Sequence, residues 1–351
     1  MSKARIGVIG AGWWATEYHI PNLKKRDDVE LVSVCKLEED QLNFVKNKFN
    51  FQHASTDFHE MLNLSPLDGV VIASPHFAHY ENAKASLEKG CHVLIEKPMT
   101  TNSSDAEKLY NLAKEVKKEI LVPNGFNFTQ FMPKAEKYIQ DGVIGEIKHI
   151  DAAFTSSLLD LFQGIPLSES NDHTFQPLAS TWSDPNKGGG YGWGQLSHMF
   201  GGVFKITQLT AEKAFCFSVP SPTNVDYTDA ISVKFSNGAT GSFSGCAYVP
   251  KNFGGTFYIN VHGTKGTLYL DIEIKRERLL IRLNDGNNIE DEISEGEGTM
   301  SYSTETPINT FVDICLNKNY QNHANAEIGL KTVKVLDAIY RSMKTESVEK
   351  V

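Results

Sequence analysis

Paired cysteines, long apolar runs and concentrated positive charge are all missing from this 351-residue chain, and each absence closes off a class of protein. The five cysteines, Cys35, Cys91, Cys216, Cys246 and Cys315, are scattered with no CxxC pair. That odd, dispersed set argues against a zinc site or a disulfide framework and predicts reduced thiols and no metal. No stretch approaches the ~18 uninterrupted apolar residues of a membrane span, and the amino terminus enters a strand pattern almost at once, without a signal-peptide core or an arginine-rich transit segment. The expectation is a cytoplasmic protein with no membrane partner. A formal charge of −9, with no basic run carrying interleaved aromatics, disfavours nucleic acid.

What is present suits an ordinary globular chain, 40% apolar and 22% charged. Its length exceeds the ~250 to 300 residues at which single cores stop growing, so two domains are expected, 1–122 and 123–351. Residues 4–9 form an apolar strand pattern running into Gly10-Ala11-Gly12-Trp13-Trp14-Ala15, and a helix pattern follows over 16–25. This is G-x-G-x-x-A between strand and helix. The first glycine permits a tight turn, the second lets backbone approach a pyrophosphate, and small Ala15 lets the helix pack close, with the helix start binding the anion. A second strand over 30–34 ends at Cys35-Lys36. An NAD site usually has Asp or Glu at this point to hold the ribose 2′-hydroxyl, whereas a cation suits a 2′-phosphate. Lys36 therefore favours NADP over NAD, with Glu38 or Glu39 as the alternative ribose contact.

Helix and strand patterns then alternate: helix 41–49, strand 69–73, helix 79–89, a strand ending at Lys97, helix 103–118 and strand 119–122. That rhythm predicts a doubly wound parallel sheet. Ligands bind beyond the carboxyl ends of such strands, which makes Ser74-Pro75-His76, with His79 close behind, candidate cofactor contacts. Glu96-Lys97-Pro98 gains most from this rule, because an ion pair at the end of a buried strand needs a reason and Lys97 would stand at the mouth of the crevice.

After Pro123 the pattern changes to an α+β domain. A helix over 133–140, a strand over 146–157, a polar loop over 164–187, Gly188-Gly189-Gly190 and an aromatic-rich helix over 191–204 lead into strands across 209–283. Hairpin signals stand at Ser236-Asn237-Gly238 and Gly263-Thr264-Lys265-Gly266, and helices are expected over 306–318 and 326–344. The sheet should be open and mostly antiparallel. With helices for one face only, the other face needs cover, and strands such as 256–262 are expected to carry apolar residues on it, which predicts a homo-oligomer. Trp182, Tyr191 and Trp193 could stack on a sugar ring or nicotinamide or fill the core; Trp182 and Tyr191 stand as substrate candidates, while core packing is expected for Trp193.

These residues together resemble the glucose-fructose oxidoreductase/inositol dehydrogenase (Gfo/Idh/MocA) family along the whole chain. The resemblance rests on Gly10-Ala11-Gly12, Ser74-Pro75-His76, Glu96-Lys97-Pro98, the segment Gly142-Val143-Ile144-Gly145-Glu146-Ile147, the triple glycine and His198. It implies an N-terminal Rossmann domain, a C-terminal sheet domain whose open face forms a homodimer or homotetramer interface, and oxidation or reduction of a sugar or cyclitol with NAD or NADP. Lys97 matches the lysine that contacts the reacting hydroxyl and nicotinamide ribose, and His198 the proton acceptor or donor. Family relatives also include NAD-dependent glycoside-cleaving enzymes with no net redox change, and a non-catalytic sugar-binding relative fits the same fold. The chain departs from the family at Gly194, where an aspartate four residues before the histidine is common; Gln195 and Asp184 are the expected substitutes. The arginine that often follows Asn127, itself a candidate substrate contact, is also absent.

Overall fold

The computed structural model describes residues 3–251, 255–272, 278–291 and 302–351; the strands expected across 209–283 thus fall partly outside the described residues, at 252–254 and 273–277. The chain forms two compact units. The first gathers Met1–Pro123 with two later segments, Pro166–Thr181 and Thr304–Leu330; the second comprises Asn124–Ile165, Trp182–Ser303 and Lys331–Val351. Both later segments were expected in the C-terminal half, yet they pack with the first unit.

In the first unit six strands, β1 (Ala4–Ile9), β2 (Val29–Cys35), β3 (His53–Ser55), β4 (Gly69–Ile72), β5 (His92–Ile95) and β6 (Ile120–Leu121), form one sheet in the order β3-β2-β1-β4-β5-β6. Every pairing is parallel. Continuous apolar strands such as Gly69–Ile72, buried along their whole length, are what a parallel sheet covered on both faces requires. Side-chain caps start two of the flanking helices: Asp57 accepts from the Glu60 N–H for Phe58–Leu64, and Asn102 from the Asp105 N–H for Ser103–Glu115, each worth about 1 kcal/mol. β3 and Phe58–Leu64 have no counterpart in the sequence reading, since three residues are too few to show a period. The β6 edge is paired by the returning segment, Val122 N–H donating to Ala324 O at 2.8 Å, which removes an open strand edge. The strand order reverses between β1 and β4, placing a crevice beyond their carboxyl ends.

Among the described residues the second unit is built on a nine-stranded sheet. Its strands are β7 (Ile147–Thr155), β8 (Ala211–Pro220), β9 (Asp226–Phe235), β10 (Thr240–Cys246), β11 (Phe257–Gly263), β12 (Gly266–Asp271), β13 (Arg278–Leu283), β14 (Ile289–Asp291) and β15 (Glu349–Lys350). They run in the order β14-β13-β12-β11-β7-β10-β9-β8-β15. All neighbours are antiparallel except β7 and β10, and both expected hairpins form. One expectation is corrected. In β11 the apolar residues Phe257, Ile259 and Val261 are the buried ones, and Phe257 and Ile259 reach Gly202 of helix Ser197–Thr207. Strand alternation therefore turns Tyr258, Asn260 and His262 to the opposite face, which is not an apolar surface along this strand. The helix expected over 191–204 begins with a π-helical turn, Gly192–Leu196, and continues as Ser197–Thr207, buried on every side.

Candidate active site

In the first unit, Gly10 takes φ +81°, and a side chain there would meet the Ser74 backbone at 2.3 Å, so only glycine fits the turn. The turn is tied to the end of β2, since Gly10 and Ala11 N–H both donate to Cys35 O (3.0 and 3.3 Å). A Cβ on Gly12 would meet nothing closer than 4.0 Å. The backbone there faces open space, which is the cradle a pyrophosphate needs at a helix start. Trp13 and Trp14 open that helix, edge to face at 5.3 Å, and Ala15 is fully buried beneath it. Lys36 pairs with Glu38 at 2.7 Å, a bond that holds the Glu38 carboxyl below its ordinary value.

Across the crevice, Ser74 Oγ donates to Asn82 Oδ1 at 2.7 Å. The His79 ring is a strut rather than a site surface: it is fully buried, with Nδ1 2.8 Å from Pro98 O and Nε2 2.9 Å from Ser74 O, and burial pushes it below the ordinary histidine value. It joins the loop after β4 to the loop after β5. His76 is buried edge-on beside it at 5.7 Å. Glu96 accepts from His19 Nε2 at 2.8 Å and, at 3.1 Å, from the Lys97 backbone N–H. Burial acts to raise Glu96, but the His19 bond and the charges of His19 and Lys97 outweigh it and hold the carboxyl low. Lys97 is half-buried; desolvation pushes its ammonium down to about 8, against the opposing pull of Glu96.

In the second unit His198 is buried among aromatic rings, stacked on Phe154 at 5.8 Å and edge-on to Phe126 and Tyr302 at 5.5 and 5.2 Å. Its Nδ1 lies 3.2 Å from Asn124 Oδ1, while Asn124 Nδ2 donates to His198 O at 3.0 Å. The second bond orients the amide, so the ring must supply the proton of the first. A neutral His198 therefore carries hydrogen on Nδ1 and keeps a lone pair on Nε2. Gly201 makes room for this contact, since a side chain there would press on Asn124 Nδ2 at 2.4 Å. The start of the helix is anchored independently: Asp226 accepts from Gly192 N–H (2.7 Å) and Tyr340 OH (2.6 Å), and the Tyr340 ring lies parallel to Trp193 at 5.0 Å.

The departure at Gly194 has a steric reason. A Cβ at this position would stand 2.7 Å from Cζ3 of Trp182, whose indole lies edge-on to Phe162 at 6.0 Å. The indole holds the space an aspartate would use. Of the expected substitutes, Asp184 caps a turn by accepting from Asn186 N–H at 2.9 Å and pairs with Lys187, while Gln195 is buried on the π-helical turn. Tyr191 is fully buried and donates to Phe154 O at 3.1 Å, a core position rather than the site surface expected for it. Trp193 is in the core, as expected. Asn127 is buried, its Nδ2 3.3 Å from Gly201 O. Sequence reasoning missed Asn124 and His19. Asn124 stands three residues beyond β6, where the carboxyl-end rule could have singled it out; nothing local marks His19.

Residues 4–123 match the sequence profile of an oxidoreductase family with an NAD-binding Rossmann fold, and residues 136–351 that of the same family's C-terminal alpha/beta domain. A myo-inositol 2-dehydrogenase of Thermotoga maritima is 33% identical over 144 residues, 40% of this chain and 42% of the relative. The chain thus aligns with about two fifths of that relative's length. A scyllo-inositol 2-dehydrogenase (NADP(+)) of Bacillus subtilis is 25% identical over 97% of both chains. Among solved structures, an oxidoreductase domain protein of Kribbella flavida superposes with TM-score 0.81 at 19% identity, covering all of both chains.

Proposed function

The chain belongs to the Gfo/Idh/MocA oxidoreductase family, and on that premise we propose that it transfers a hydride between NAD(P) and a secondary hydroxyl or ketone of a sugar, cyclitol or sugar conjugate. The observation that carries this reading is the tautomer imposed on His198, whose Nδ1–H is held by Asn124 and whose Nε2 is thereby a proton acceptor. In that tautomer a neutral ring can take up a proton at Nε2. A bound nicotinamide supplies the hydride chemistry. In the oxidative direction His198 Nε2 would serve as acceptor for a hydroxyl proton, and the role carried over to Lys97 is donation from its ammonium to the reacting oxygen, drawing charge from it as the C–H bond weakens. In reduction His198 returns the proton. Gly10, Gly12 and the helix opening at Trp13 would hold the pyrophosphate, with Ser74 and Pro75 on the opposite lip. Trp182 would offer its indole to a sugar face.

Two features support NADP(H) as the preferred dinucleotide: the Lys36 ammonium at the end of β2, and the similarity along 97% of the chain to a scyllo-inositol 2-dehydrogenase (NADP(+)). Glu38, now paired with Lys36, would yield that cation to a 2′-phosphate. The chain would act as a homodimer or homotetramer. The test is a dinucleotide-reduction screen across aldoses, sugar phosphates and inositols, run in reverse on their keto forms. Turnover of at least one polyol with net NAD(P)H formation is the expected result. Glycoside cleavage without net reduction would assign the chain to the eliminating branch, and binding without turnover to a sugar sensor.

A further inference from the structure

One wall of the first unit's crevice comes from far along the chain. Trp13 Nε1 donates to His173 Nδ1 at 2.7 Å, and the two rings lie within 19° of parallel with centroids 6.1 Å apart. The next residue bonds twice, Thr174 N–H donating to Glu17 Oε1 at 2.9 Å and Thr174 Oγ1 accepting from Lys48 Nζ at 2.8 Å. The Phe175 ring then stands edge-on to Phe44 at 6.2 Å, with the Lys36 ammonium 5.1 Å from its centre. An apolar ring in an otherwise polar loop is thus half-buried against a lysine that also serves Glu38.

The positions of these contacts matter more than their number. Trp13 follows Gly12 in the turn that would cradle a pyrophosphate, and Lys36 ends the strand beside which the adenosine ribose would rest. A segment bonded at both points spans the adenosine half of a dinucleotide in that crevice. We propose that His173, Thr174 and Phe175 form a strap closing the adenosine site, so that a bound dinucleotide leaves only after the strap lifts. The inference rests on the dinucleotide reading above and adds three residues that no cofactor motif contains. It makes the Trp13–His173 bond the latch at the pyrophosphate end and Phe175 the contact at the ribose end, where the ring also restrains Lys36.

The experiment measures release of pre-bound NADPH or NADH by stopped-flow nicotinamide fluorescence, with equilibrium binding of ADP-ribose and of nicotinamide mononucleotide alongside. None of these readouts requires turnover. His173→Ala and Phe175→Ala should each speed release about tenfold and weaken ADP-ribose binding by a similar factor, the size expected from one lost hydrogen bond or ring contact. Nicotinamide mononucleotide binding should change less than about twofold. His173→Asn, whose Oδ1 can accept from Trp13, should restore slow release. Unchanged release in both alanine variants overturns the strap, as does an equal loss for nicotinamide mononucleotide, which would mark general loosening. Failure of the wild type to bind either dinucleotide overturns the cofactor reading and the strap with it.

Discussion

Replacing Lys97 by methionine should abolish most turnover yet stabilise the fold. The substitution keeps the stem volume and removes the charge. Lys97 is pushed from 10.5 to about 8 by burial, and at ~1.4 kcal/mol for each factor of ten in acidity this is about 3 kcal/mol of folding free energy lost to holding the ammonium there. Solvent reaches part of the half-buried side chain and screens this cost, which already includes the attraction of Glu96, so a net gain of about 1 to 2 kcal/mol is expected at pH 7. The pH dependence is more diagnostic than the size. Below pH 8 the lysine is charged in both folded and unfolded chains, and the cost is complete. Between about 8 and 10.5 the folded chain has released a proton that the unfolded chain still holds, so wild-type stability gains with rising pH over this window. The advantage of Lys97→Met should therefore shrink steadily from pH 8 and vanish near 10.5. Urea unfolding of both proteins, stripped of dinucleotide so that binding does not shift the midpoints, reads this directly. A variant less stable than wild type at pH 7, or one whose advantage is flat from pH 8 to 10.5, refutes the reasoning.

Other outcomes follow from the same geometry. His198→Ala should lower kcat by ~10² to 10⁴ with dinucleotide affinity nearly unchanged; retention of more than about a tenth of wild-type kcat, with a deuterium isotope effect showing chemistry to be rate-limiting, would make the histidine a bystander. Lys36→Asp should reverse a wild-type preference for NADP(H), while Glu38→Gln should sharpen it, both measured as ratios of dissociation constants; a wild type preferring NAD(H) that Lys36→Asp merely weakens sinks the assignment. Gly194→Asp should cost about 1 to 3 kcal/mol by driving a side chain into Trp182, and much of this should be recovered in Gly194→Asp/Trp182→Ala, both read from denaturant midpoints. Light scattering at micromolar concentration should give a dimer or tetramer mass, and a monomer mass would remove the assembly claim.

The doubly wound sheet, its glycine-rich turn and the position of Lys97 were legible because they depend on short-range pattern. Continuous apolar strands, amphipathic helices and a Gly10 that needs positive φ are properties of a few neighbouring residues, and the strand-order rule then turns Lys97 from a charged residue into a crevice residue. Partnerships between polar side chains are different, since hydrophobic periodicity says which face a residue occupies but not what waits opposite it. Asn124 and His198 are 74 positions apart, and His19 and Glu96 are 77. Only the packed chain shows that His198 has a fixed tautomer without the family aspartate, or that Gly194 is small because Trp182 lies on it. The same limit explains Tyr191, whose aromatic character suits a sugar platform but whose hydroxyl is bonded inside the core. Strand alternation decided the open sheet face as well: the expectation puts apolar residues of 256–262 on that face, and a period of two sends Phe257, Ile259 and Val261 inward. The return of Pro166–Thr181 to the first unit was decided wholly in three dimensions, because a polar loop carries no periodic signal and its destination is set by contacts up to 160 residues away.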